Sequence, residues 1–414
     1  MKYLIIIGDG MADHPIKRLN GKTPLQYADK PGMDILARNG RTGRLITVPQ
    51  DFQPGSEIAN LSILGYDLNK VYEGRGPLEA ASIGYKMQPD DLALRCNIIT
   101  IADGKIKNHN GGHLSTQEGD SLIKYLNSNL GNADIKFITG IQYRHLLIIR
   151  NGNKHIICAP PHDHPNELWQ QLLAKSEAGW ENKNDGTKLI GQETADIINC
   201  LIIKSQELLK KHPLNIDRMS KGLAPANCIW PWGGGYKPRM EKIHDKYPQI
   251  RNGAVISAVD LIRGIGYYAG LDIIKVEGAT GLADTNYEAK AQAAIEALKT
   301  YDLVYLHVEA SDEASHDGNL SLKIKTIENL DKRIIRPIYN EVSKWHDTQI
   351  RIAVLPDHPT PVELRTHINE PVPFLIWGTD ITPDNVDVYD EISCANGAFG
   401  MIGLGELMKL LLNY

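Results

Sequence analysis

Short apolar segments rich in β-branched residues alternate with amphipathic stretches along most of this chain, and no other feature limits its fold as strongly. The segments that predict strands are 3–7, 254–258, 271–275, 303–308, 351–355 and 373–377. Between them, residues 320–338 place leucine and isoleucine at the spacing of one helix face, and residues 405–414 predict a closing helix. Strands that alternate with helices predict an α/β fold with a mostly parallel sheet flanked by helices.

The middle of the chain has a different pattern. β-like runs predominate from 89 to 189, with one helical stretch near 120–129, and this predicts a smaller inserted α+β domain. Helical periodicity resumes at 192–211, which we interpret as the return of the main domain. A chain of 414 residues exceeds what one hydrophobic core usually serves. We therefore expect a discontinuous main domain, 1–88 and 190–414, interrupted by an inserted domain, 89–189.

Composition narrows the classes of partner. The formal net charge of −5 and the pI near 6.3 argue against nucleic acid and against an anionic membrane surface. The five cysteines are widely spaced and form no CxxC pair, which is typical of a reducing compartment rather than of a disulfide framework. The apolar run before Asp9 is too short for a signal peptide, so we expect a cytoplasmic protein without a membrane span. The sequence does not indicate the oligomeric state.

Potential metal ligands stand where predicted strands end or begin. They are Asp9, Asp312, His316, Asp357 and His358, which follow three strands, and His367, which precedes a fourth. Ligands of open α/β sheets gather outside the carboxyl ends of the strands, so we expect these side chains to meet at one edge. Each of them alone could equally be a turn or helix-capping residue. Together, three aspartates and three histidines form a donor set for two divalent cations.

A candidate nucleophile stands near the start of a predicted helix. Pro54 and Gly55 predict a turn, Ser56 follows it, and IANLSILG predicts the helix behind. A serine in this position has its oxygen beside free backbone N–H groups, which favours a bound phosphate. Because two metals usually clamp a phosphoryl group and the oxygen that attacks it, Ser56 is the expected nucleophile. The alternative is a plain N-cap at Ser56, with Glu57 in the first turn.

Seven motifs are distributed over the whole chain. They are GDGMAD (8–13), GSEIANLSILGYD (55–67), EGRGPLEAASIG (73–84), ATGLADTNYEAK (279–290), HVEASDEASHDGN (307–319), LPDHPTP (355–361) and HINEPVPF (367–374). Together they resemble the cofactor-independent phosphoglycerate mutases, specifically the shorter archaeal-type branch, within the alkaline phosphatase superfamily. The resemblance implies an alkaline-phosphatase-like domain that handles phosphate, interrupted by a smaller domain that closes over a small phosphorylated substrate.

The same resemblance implies a role for each site residue. Ser56 is the nucleophile that becomes phosphorylated; one metal is held by Asp9, Ser56, Asp357 and His358, and the other by Asp312, His316 and His367. The implied reaction interconverts 3-phosphoglycerate and 2-phosphoglycerate, an isomerase step of glycolysis and gluconeogenesis, without 2,3-bisphosphoglycerate. The mixed ligands suit Mn²⁺, with Zn²⁺, Co²⁺ and Mg²⁺ as alternatives. Closure must exclude water, because a phosphoserine open to water would be hydrolysed.

The substrate side departs from the family pattern. Where the family has DRRAGR and LLRGAG, this chain has NHNGGH (108–113) and IWPWGGG (229–235), which lack arginine. Arginine binds phosphate and carboxylate as a bidentate fork, so the loss affects substrate recognition directly. The HDH sequence at 162–164 stands between prolines, and we interpret it as a loop.

Other residues could bind the substrate anion instead. The candidates are Arg75, Arg95, Arg144 and His113, with His109 as a further weak, pH-dependent donor. Two alternative functions stay open on the same scaffold. One is a homoserine kinase-like phosphotransferase, which resembles a bacterial offshoot of the family. The other is a metal-dependent phosphatase, which would result from incomplete exclusion of water.

Overall fold

The computed structural model describes residues 1–413. Its strands are β1 (Lys2–Gly8), β2 (Gly40–Leu45), β3 (Asp91–Ala102), β4 (Lys105–Asn108), β5 (Ile135–Ile141), β6 (Arg144–Arg150), β7 (Ile156–Ile157), β8 (Lys175–Ser176), β9 (Cys228–Gly235), β10 (Gly253–Ile256), β11 (Asp272–Ile273), β12 (Leu303–Val308), β13 (Ile350–Leu355), β14 (Val372–Gly378) and β15 (Gly400–Ile402). Its helices are α1 (Pro24–Tyr27), α2 (Pro31–Arg38), α3 (Ser56–Ile63), α4 (Leu68–Val71), α5 (Arg75–Ser82), α6 (Thr116–Leu130), α7 (Gly191–Lys210), α8 (Pro213–Ser220), α9 (Ile243–Lys246), α10 (Asp260–Ala269), α11 (Tyr287–Thr300), α12 (Ala310–His316), α13 (Leu320–Leu330), α14 (Arg336–Val342) and α15 (Glu406–Asn413). The chain divides into two compact units, which we call unit 1 (Met1–Tyr72 with Arg239–Tyr414) and unit 2 (Glu73–Pro238).

Unit 1 is built on an eight-stranded sheet in the order β11-β10-β12-β1-β13-β14-β2-β15. β14 runs antiparallel to both of its neighbours, whereas the other neighbouring pairs are parallel. Strands β12 and β13 are buried along their whole length, as expected for strands covered on both faces. The predicted α/β class with a mostly parallel sheet is therefore confirmed.

Helices cover both faces of this sheet. Side chains of α2, α11, α13 and α14 form one apolar core with alternate residues of the strands, such as Leu4 and Leu306. Because side chains alternate along a strand, Tyr305 points to the opposite face. There it donates a hydrogen bond to Asn60 of α3, and α10 packs against α3 on the same face. This packing fixes α3, whose first residue is Ser56, against the sheet.

Unit 2 contains an antiparallel five-stranded sheet in which β3 pairs with β4, β6 and β9. Helices α6 and α7 share an apolar core with one face of it, including Leu122, Ile198 and Leu94. A smaller apolar cluster, with Ala80 of α5 and Ala93 of β3, covers part of the other face. Strand β3 places Arg95 and Asn97 within an otherwise apolar run, and both side chains are buried.

The boundaries of unit 2 differ from the predicted 89 and 189. Helix α7, interpreted above as the return of the main domain, lies in unit 2 because its apolar face packs into the core of the antiparallel sheet. β9 pairs with β3, so this unit extends to Pro238. At the other boundary, α5 with Arg75 also belongs to unit 2, since α5 packs on β3.

Several elements also differ in length from their predictions. The strand predicted at 271–275 is reduced to β11, and the helix predicted at 320–338 is interrupted by a π-helical turn, Asp331–Ile335, before α14. β2 and β15 were not predicted, because GRTGRL and GMI lack a long apolar run. The predicted closing helix reached residue 414, which lies outside the described residues. Within residues 1–413, every helix is too short or too polar to cross a membrane.

Candidate active site

The carboxyl ends of β1, β12 and β13 lie side by side, because these three strands are parallel neighbours. Asp9 follows β1 directly, α12 with Asp312 and His316 follows β12, and the Asp-His pair at 357–358 follows β13. His367 precedes β14, and the reversed direction of that strand brings its beginning to the same edge. The structure therefore brings these side chains together at one edge of the unit 1 sheet.

Asp9, Asp357 and His358 form a first donor group, with ligand atoms within 4.8 Å of one another. All three side chains are fully buried. His358 Nε2 lies 3.5 Å from Asp9 Oδ1 and 3.5 Å from Asp357 Oδ2. Asp9 Oδ1 is buried without a hydrogen-bond partner among the described residues. A buried, unsatisfied carboxylate oxygen beside a second carboxylate and an imidazole fits a divalent cation.

A second donor group shares His358 with the first and adds Asp312 and His367. His367 Nε2 lies 3.4 Å from Asp312 Oδ1, and His316 Nε2 lies 3.1 Å from Asp312 Oδ2. The Nε2 atoms of His316 and His367 are only 2.9 Å apart. Two ring nitrogens this close, both aimed at one carboxylate, require a proton or a cation between them. Their mixture of oxygen and nitrogen donors also fits a divalent cation.

Ser56 is the first residue of α3, and Gly55 occupies the N-cap position. The N-cap alternative for Ser56 is therefore wrong, and its hydroxyl turns to the donor groups instead. Ser56 Oγ lies 3.2 Å from His358 Nε2 and 3.4 Å from Asp9 Oδ2. Backbone N–H groups at the start of a helix favour an anion at this end. The position thus suits the predicted nucleophile, at a helix start that favours an anion.

Burial and close charges determine the protonation of this edge. Burial, together with the Asp357 and Asp312 carboxylates, raises the pKa of Asp9 well above its usual range. Burial also opposes ionisation of Asp312, but hydrogen bonds from His316 and His367 outweigh it and hold the pKa of Asp312 well below its usual range. The hydrogen bond to Asp312 raises the pKa of His316 to about 9. Cation binding would therefore displace protons from these groups.

Asn60 supports the nucleophile and was not predicted from the sequence. Its side-chain amide donates to Asp357 Oδ2 at 2.9 Å and to the backbone oxygen of Ser56 at 2.7 Å. The Tyr305 hydroxyl in turn donates to the Asn60 side-chain oxygen. These bonds connect the helix that carries Ser56 to the loop that carries Asp357. A buried asparagine within the apolar IANLSILG segment was the available sequence signal.

Thr360 and His307 also contact predicted ligands. The Thr360 hydroxyl donates to Asp312 Oδ1 at 2.6 Å and lies 3.2 Å from His358 Nδ1. It therefore orients one predicted ligand in each donor group. His307 Nε2 lies 3.0 Å from Asp9 Oδ2. Burial lowers the pKa of His307 to about 4, so its ring is neutral at physiological pH. A histidine inside the strand sequence LVYLHV signalled this role.

The predicted substrate-binding arginines lie in unit 2. Arg95 and Arg75 place their guanidinium carbons 4.6 Å and 5.7 Å, respectively, from the centre of the Trp232 ring. The Arg144 guanidinium lies 5.7 Å from the centre of the Tyr143 ring. The loop after β4 carries the histidines at 109 and 113. Burial, and then the charge of His113, lowers the pKa of His109.

Comparisons with known proteins identify the family. A family model described as 2,3-bisphosphoglycerate-independent phosphoglycerate mutase matches residues 37–215. A protein of that name from Methanosarcina acetivorans is 47% identical over 413 residues, which cover 99% of this chain and 99% of the relative. The chain belongs to this family. A second relative, from Methanothermobacter thermautotrophicus, is named 2,3-bisphosphoglycerate-independent phosphoglycerate mutase 2 and is 46% identical. This match covers 100% of this chain and 98% of the relative.

Solved structures extend the comparison with this mutase family. A Pyrococcus horikoshii protein superposes with a TM-score of 0.82 at 32% identity, covering 100% of this chain and 96% of its own. A cofactor-independent phosphoglycerate mutase from Thermoplasma acidophilum gives a TM-score of 0.66 at 24% identity, covering 99% of both chains. The second likeness concerns the fold alone. The resemblance found in the sequence motifs is confirmed.

Proposed function

We propose that this chain is a 2,3-bisphosphoglycerate-independent phosphoglycerate mutase that interconverts 3-phosphoglycerate and 2-phosphoglycerate through phosphorylated Ser56. The observation that carries this proposal is the position of the Ser56 hydroxyl, 3.2 Å from His358 and 3.4 Å from Asp9 at the start of a helix. A hydroxyl turned to metal-ligand donors, with the N–H groups of a helix start beside it, suits phosphoryl transfer. Relatives that carry this activity in their names match the chain over its whole length.

Two divalent cations fit the donor set, and Mn²⁺ is the proposed ion, with Zn²⁺, Co²⁺ and Mg²⁺ as alternatives. One set of ligands would be Asp9, Ser56, Asp357 and His358, and the other would be Asp312, His316 and His367. When bound, the cations supply charge stabilisation to the phosphoryl group and lower the pKa of the serine hydroxyl. The bond network of Asn60 and Thr360 keeps the ligands in place before substrate arrives.

Ser56 carries the phosphoryl group between two substrate oxygens. Its Oγ loses its proton and forms a bond to phosphorus as the bond to the first substrate oxygen breaks, and that oxygen takes up a proton; Ser56 regains a proton when the return step frees it. The glycerate then presents its neighbouring hydroxyl, which loses a proton, forms the new bond to phosphorus and frees Ser56. The N–H groups at the start of α3 hold the phosphoryl oxygens during both steps.

Unit 2 supplies substrate binding and exclusion of water in this proposal. Its residues Arg75, Arg95, Arg144 and His113 would bind the anionic groups of the substrate. Closure of this unit over the glycerate would keep water from the phosphoserine, because water would turn the mutase into a phosphatase. We place the protein in the cytoplasm, where its small phosphorylated substrates occur.

Phosphorus NMR tests the proposal directly. The full chain with Mn²⁺ and 3-phosphoglycerate should generate a 2-phosphoglycerate signal at a rate proportional to enzyme and abolished by a chelator. A growing signal of free phosphate would instead identify the phosphatase alternative. An unchanged spectrum from metal-loaded protein, followed by phosphohomoserine formation from ATP and homoserine, would replace the mutase by the kinase-like alternative.

A further inference from the structure

One face of the unit 2 sheet carries cationic side chains around an indole. Arg95 on β3 lies directly opposite Trp232 on β9, so the two side chains share one face. Trp232 Nε1 lies 3.2 Å from the side-chain oxygen of Asn97, which accepts its hydrogen bond and fixes the ring. Trp232 is buried, and the guanidiniums of Arg95 and Arg75 stand 4.6 Å and 5.7 Å from its centre. The Trp232 indole is thus a fixed apolar surface with two guanidinium groups close to it.

Two histidines complete what we call the Trp232 cluster: Arg75, Arg95, His109, His162 and Trp232. His162, in the loop after β7, packs edge-on against the indole with ring centres 5.2 Å apart. The ring of His109, in the loop after β4, lies 6.2 Å from that of His162. The side chain of His162 remains 41% exposed, so its ring is accessible to a solute. The HDH segment is a loop, and its first histidine belongs to this cluster.

The charged groups around His162 are predominantly cationic. Those that act on His162 are Arg75, Arg95 and His109, opposed by Asp163, whose carboxylate lies 3.6 Å away. Burial lowers the pKa of His162, the Asp163 carboxylate opposes this effect, and the positive charges of Arg75 and Arg95 add to it.

His109 and Arg95 have few acidic neighbours. His109 faces His113 and the ring of Tyr143, and burial lowers its pKa first. Arg95 has Glu79 at 3.0 Å and is also influenced by the charge of Arg144. The pKa of each imidazole is therefore held below its usual range, and His162 lies near the guanidiniums of Arg75 and Arg95, which attract anions.

We propose that His109 and His162 are substrate-anion ligands that each take up a proton as the Trp232 cluster binds a phosphate or carboxylate group. This inference deepens the proposed function and rests on it. An anion beside the rings favours their protonated form, and each protonated ring donates an N–H to an anionic oxygen. The proton comes from solvent and returns to it when the anion leaves. Imidazole thereby takes over a role that the family pattern assigns to arginine in the segment 108–113.

This exchange of arginine for imidazole has a measurable consequence. Arginine is charged at every physiological pH, so its binding of an anion is independent of pH. Imidazole that must gain a proton binds the anion more weakly as the pH rises above the pKa of the complex. The affinity for 3-phosphoglycerate should therefore fall between pH 6 and pH 8, and binding should consume protons.

Titration calorimetry of the full, metal-loaded chain tests this inference. A Ser56→Ala background removes the nucleophile, so that the heat of adding 3-phosphoglycerate reports binding alone. Measurements in two buffers of different ionisation enthalpy give the number of protons taken up. His162→Gln and His109→Gln should each weaken binding roughly 10- to 100-fold, the range for one charged hydrogen bond, and reduce proton uptake. His164→Gln is the matched control, because that ring is only two residues away and instead contacts Glu167 at 3.1 Å.

The outcomes separate the inference from the proposed function. Equal affinity and equal proton uptake in His162→Gln and His164→Gln would overturn the inference, as would a complete lack of binding. Mutase activity of the wild-type chain decides the proposed function independently. An inactive wild-type chain whose Ser56→Ala form still binds 3-phosphoglycerate, with proton uptake that depends on His162, would support the anion site and overturn the mutase.

Discussion

The two units hold histidine clusters with opposite electrostatic surroundings. In unit 1, His316 and His367 face the Asp312 carboxylate, and the pKa of each ring is raised. In unit 2, His109 and His162 are partly buried, His162 faces Arg75 and Arg95, and the pKa of each ring is lowered. The same side chain therefore keeps its proton to a higher pH in unit 1 than in unit 2.

This contrast determines which ligand each cluster can take. In the proposed function, the unit 1 rings would lose a proton in exchange for a metal cation that the carboxylates also attract. The unit 2 rings gain a proton to bind, so they accept an anion that the guanidiniums also attract. Neighbouring charges, rather than residue type, distinguish a cation site from an anion site.

The largest expected effect comes from removing the nucleophile of unit 1. Ser56→Ala should lower kcat by about 10⁴-fold or more, as removal of a covalent nucleophile does in other enzymes. Binding of Mn²⁺, measured by calorimetry, should be largely retained, because the carboxylates and imidazoles remain. Ser62→Ala is the matched control on the same helix, since the Ser62 hydroxyl is buried without a hydrogen-bond partner in the described chain. Full turnover by Ser56→Ala would disprove the covalent mechanism.

The next effect concerns a buried lysine behind the unit 1 ligands. Lys323 Nζ donates to Asp13 Oδ2 at 2.8 Å and to the backbone oxygens of Ala12 and Thr360 at 3.2 Å and 2.9 Å. It therefore ties the loop after β1 to the loop after β13. Lys323→Met should lower the free energy of unfolding by about 3–5 kcal/mol, because it leaves the Asp13 carboxylate buried without its cation.

Chemical denaturation would measure the loss for Lys323→Met. Lys325→Met, an exposed position on the same helix, should change stability by less than about 0.5 kcal/mol. Adding Asp13→Asn to Lys323→Met should restore part of the loss, since the uncompensated charge is then removed. Equal stability of the two lysine variants would show that the buried pair does not brace the loops.

A smaller effect is expected from filling the turn beside Asp9. Gly10 has a φ of +61°, and a Cβ there would lie 2.5 Å from Asp312 Oδ1 and 2.9 Å from the Asp312 backbone. Gly10→Ala should displace this ligand and reduce kcat roughly 100-fold, the cost of a misplacement of about 1 Å. It should also weaken Mn²⁺ binding.

Gly21→Ala separates crowding from backbone strain. Gly21 has a similar φ of +77°, but nothing lies within 4 Å of the position of its Cβ. This variant should lose only about 1–2 kcal/mol of stability and keep its activity. If Gly10→Ala behaved in the same way, the space around Asp312 would not limit the metal site.

The unit 1 site was easier to predict from the sequence than the unit 2 cluster, for a physical reason. Asp9 and Asp312 stand directly after long apolar runs, and parallel strands bring such positions to one edge. The direction of β14, which places His367 there, cannot be read from periodicity, because a strand has the same pattern in both directions. The contribution of Thr360 depends on how two loops meet, which no local pattern reports.

The Trp232 cluster depends on contacts between distant parts of the chain. Trp232 and Asn97 are 135 residues apart and meet only through the pairing of β3 with β9. The predicted inserted domain ended before Trp232, because the helical periodicity at 192–211 was interpreted as the return of the main domain. The polar residues Arg95 and Asn97 within a buried strand were the one local signal of this face.

The smallest expected effect concerns how folding stability depends on pH in metal-free protein. The histidines of the two clusters should contribute to this dependence with opposite signs. The pKa of His316 is raised to about 9 from 6.5, so its stabilising contribution is full below pH 6.5 and is lost as the pH rises through 9. The pKa of His162 is lowered, so its protonation destabilises the fold as the pH falls below 6.5. Each contribution should stay below about 1 kcal/mol, because 37% and 41% of the two side chains are exposed.

Comparing each wild-type and Gln variant by denaturation in chelator, from pH 5 to pH 10, measures these signs. The stability advantage of wild type over His316→Gln should shrink towards high pH, whereas that over His162→Gln should shrink towards low pH. Added Mn²⁺ should reverse the first trend, because the metal requires a neutral His316 and so stabilises the fold more as the pH rises. It should leave the second trend unchanged, since the cations around His162 repel a metal. A common sign in both units without metal would show that solvent, rather than neighbouring charge, controls the two rings.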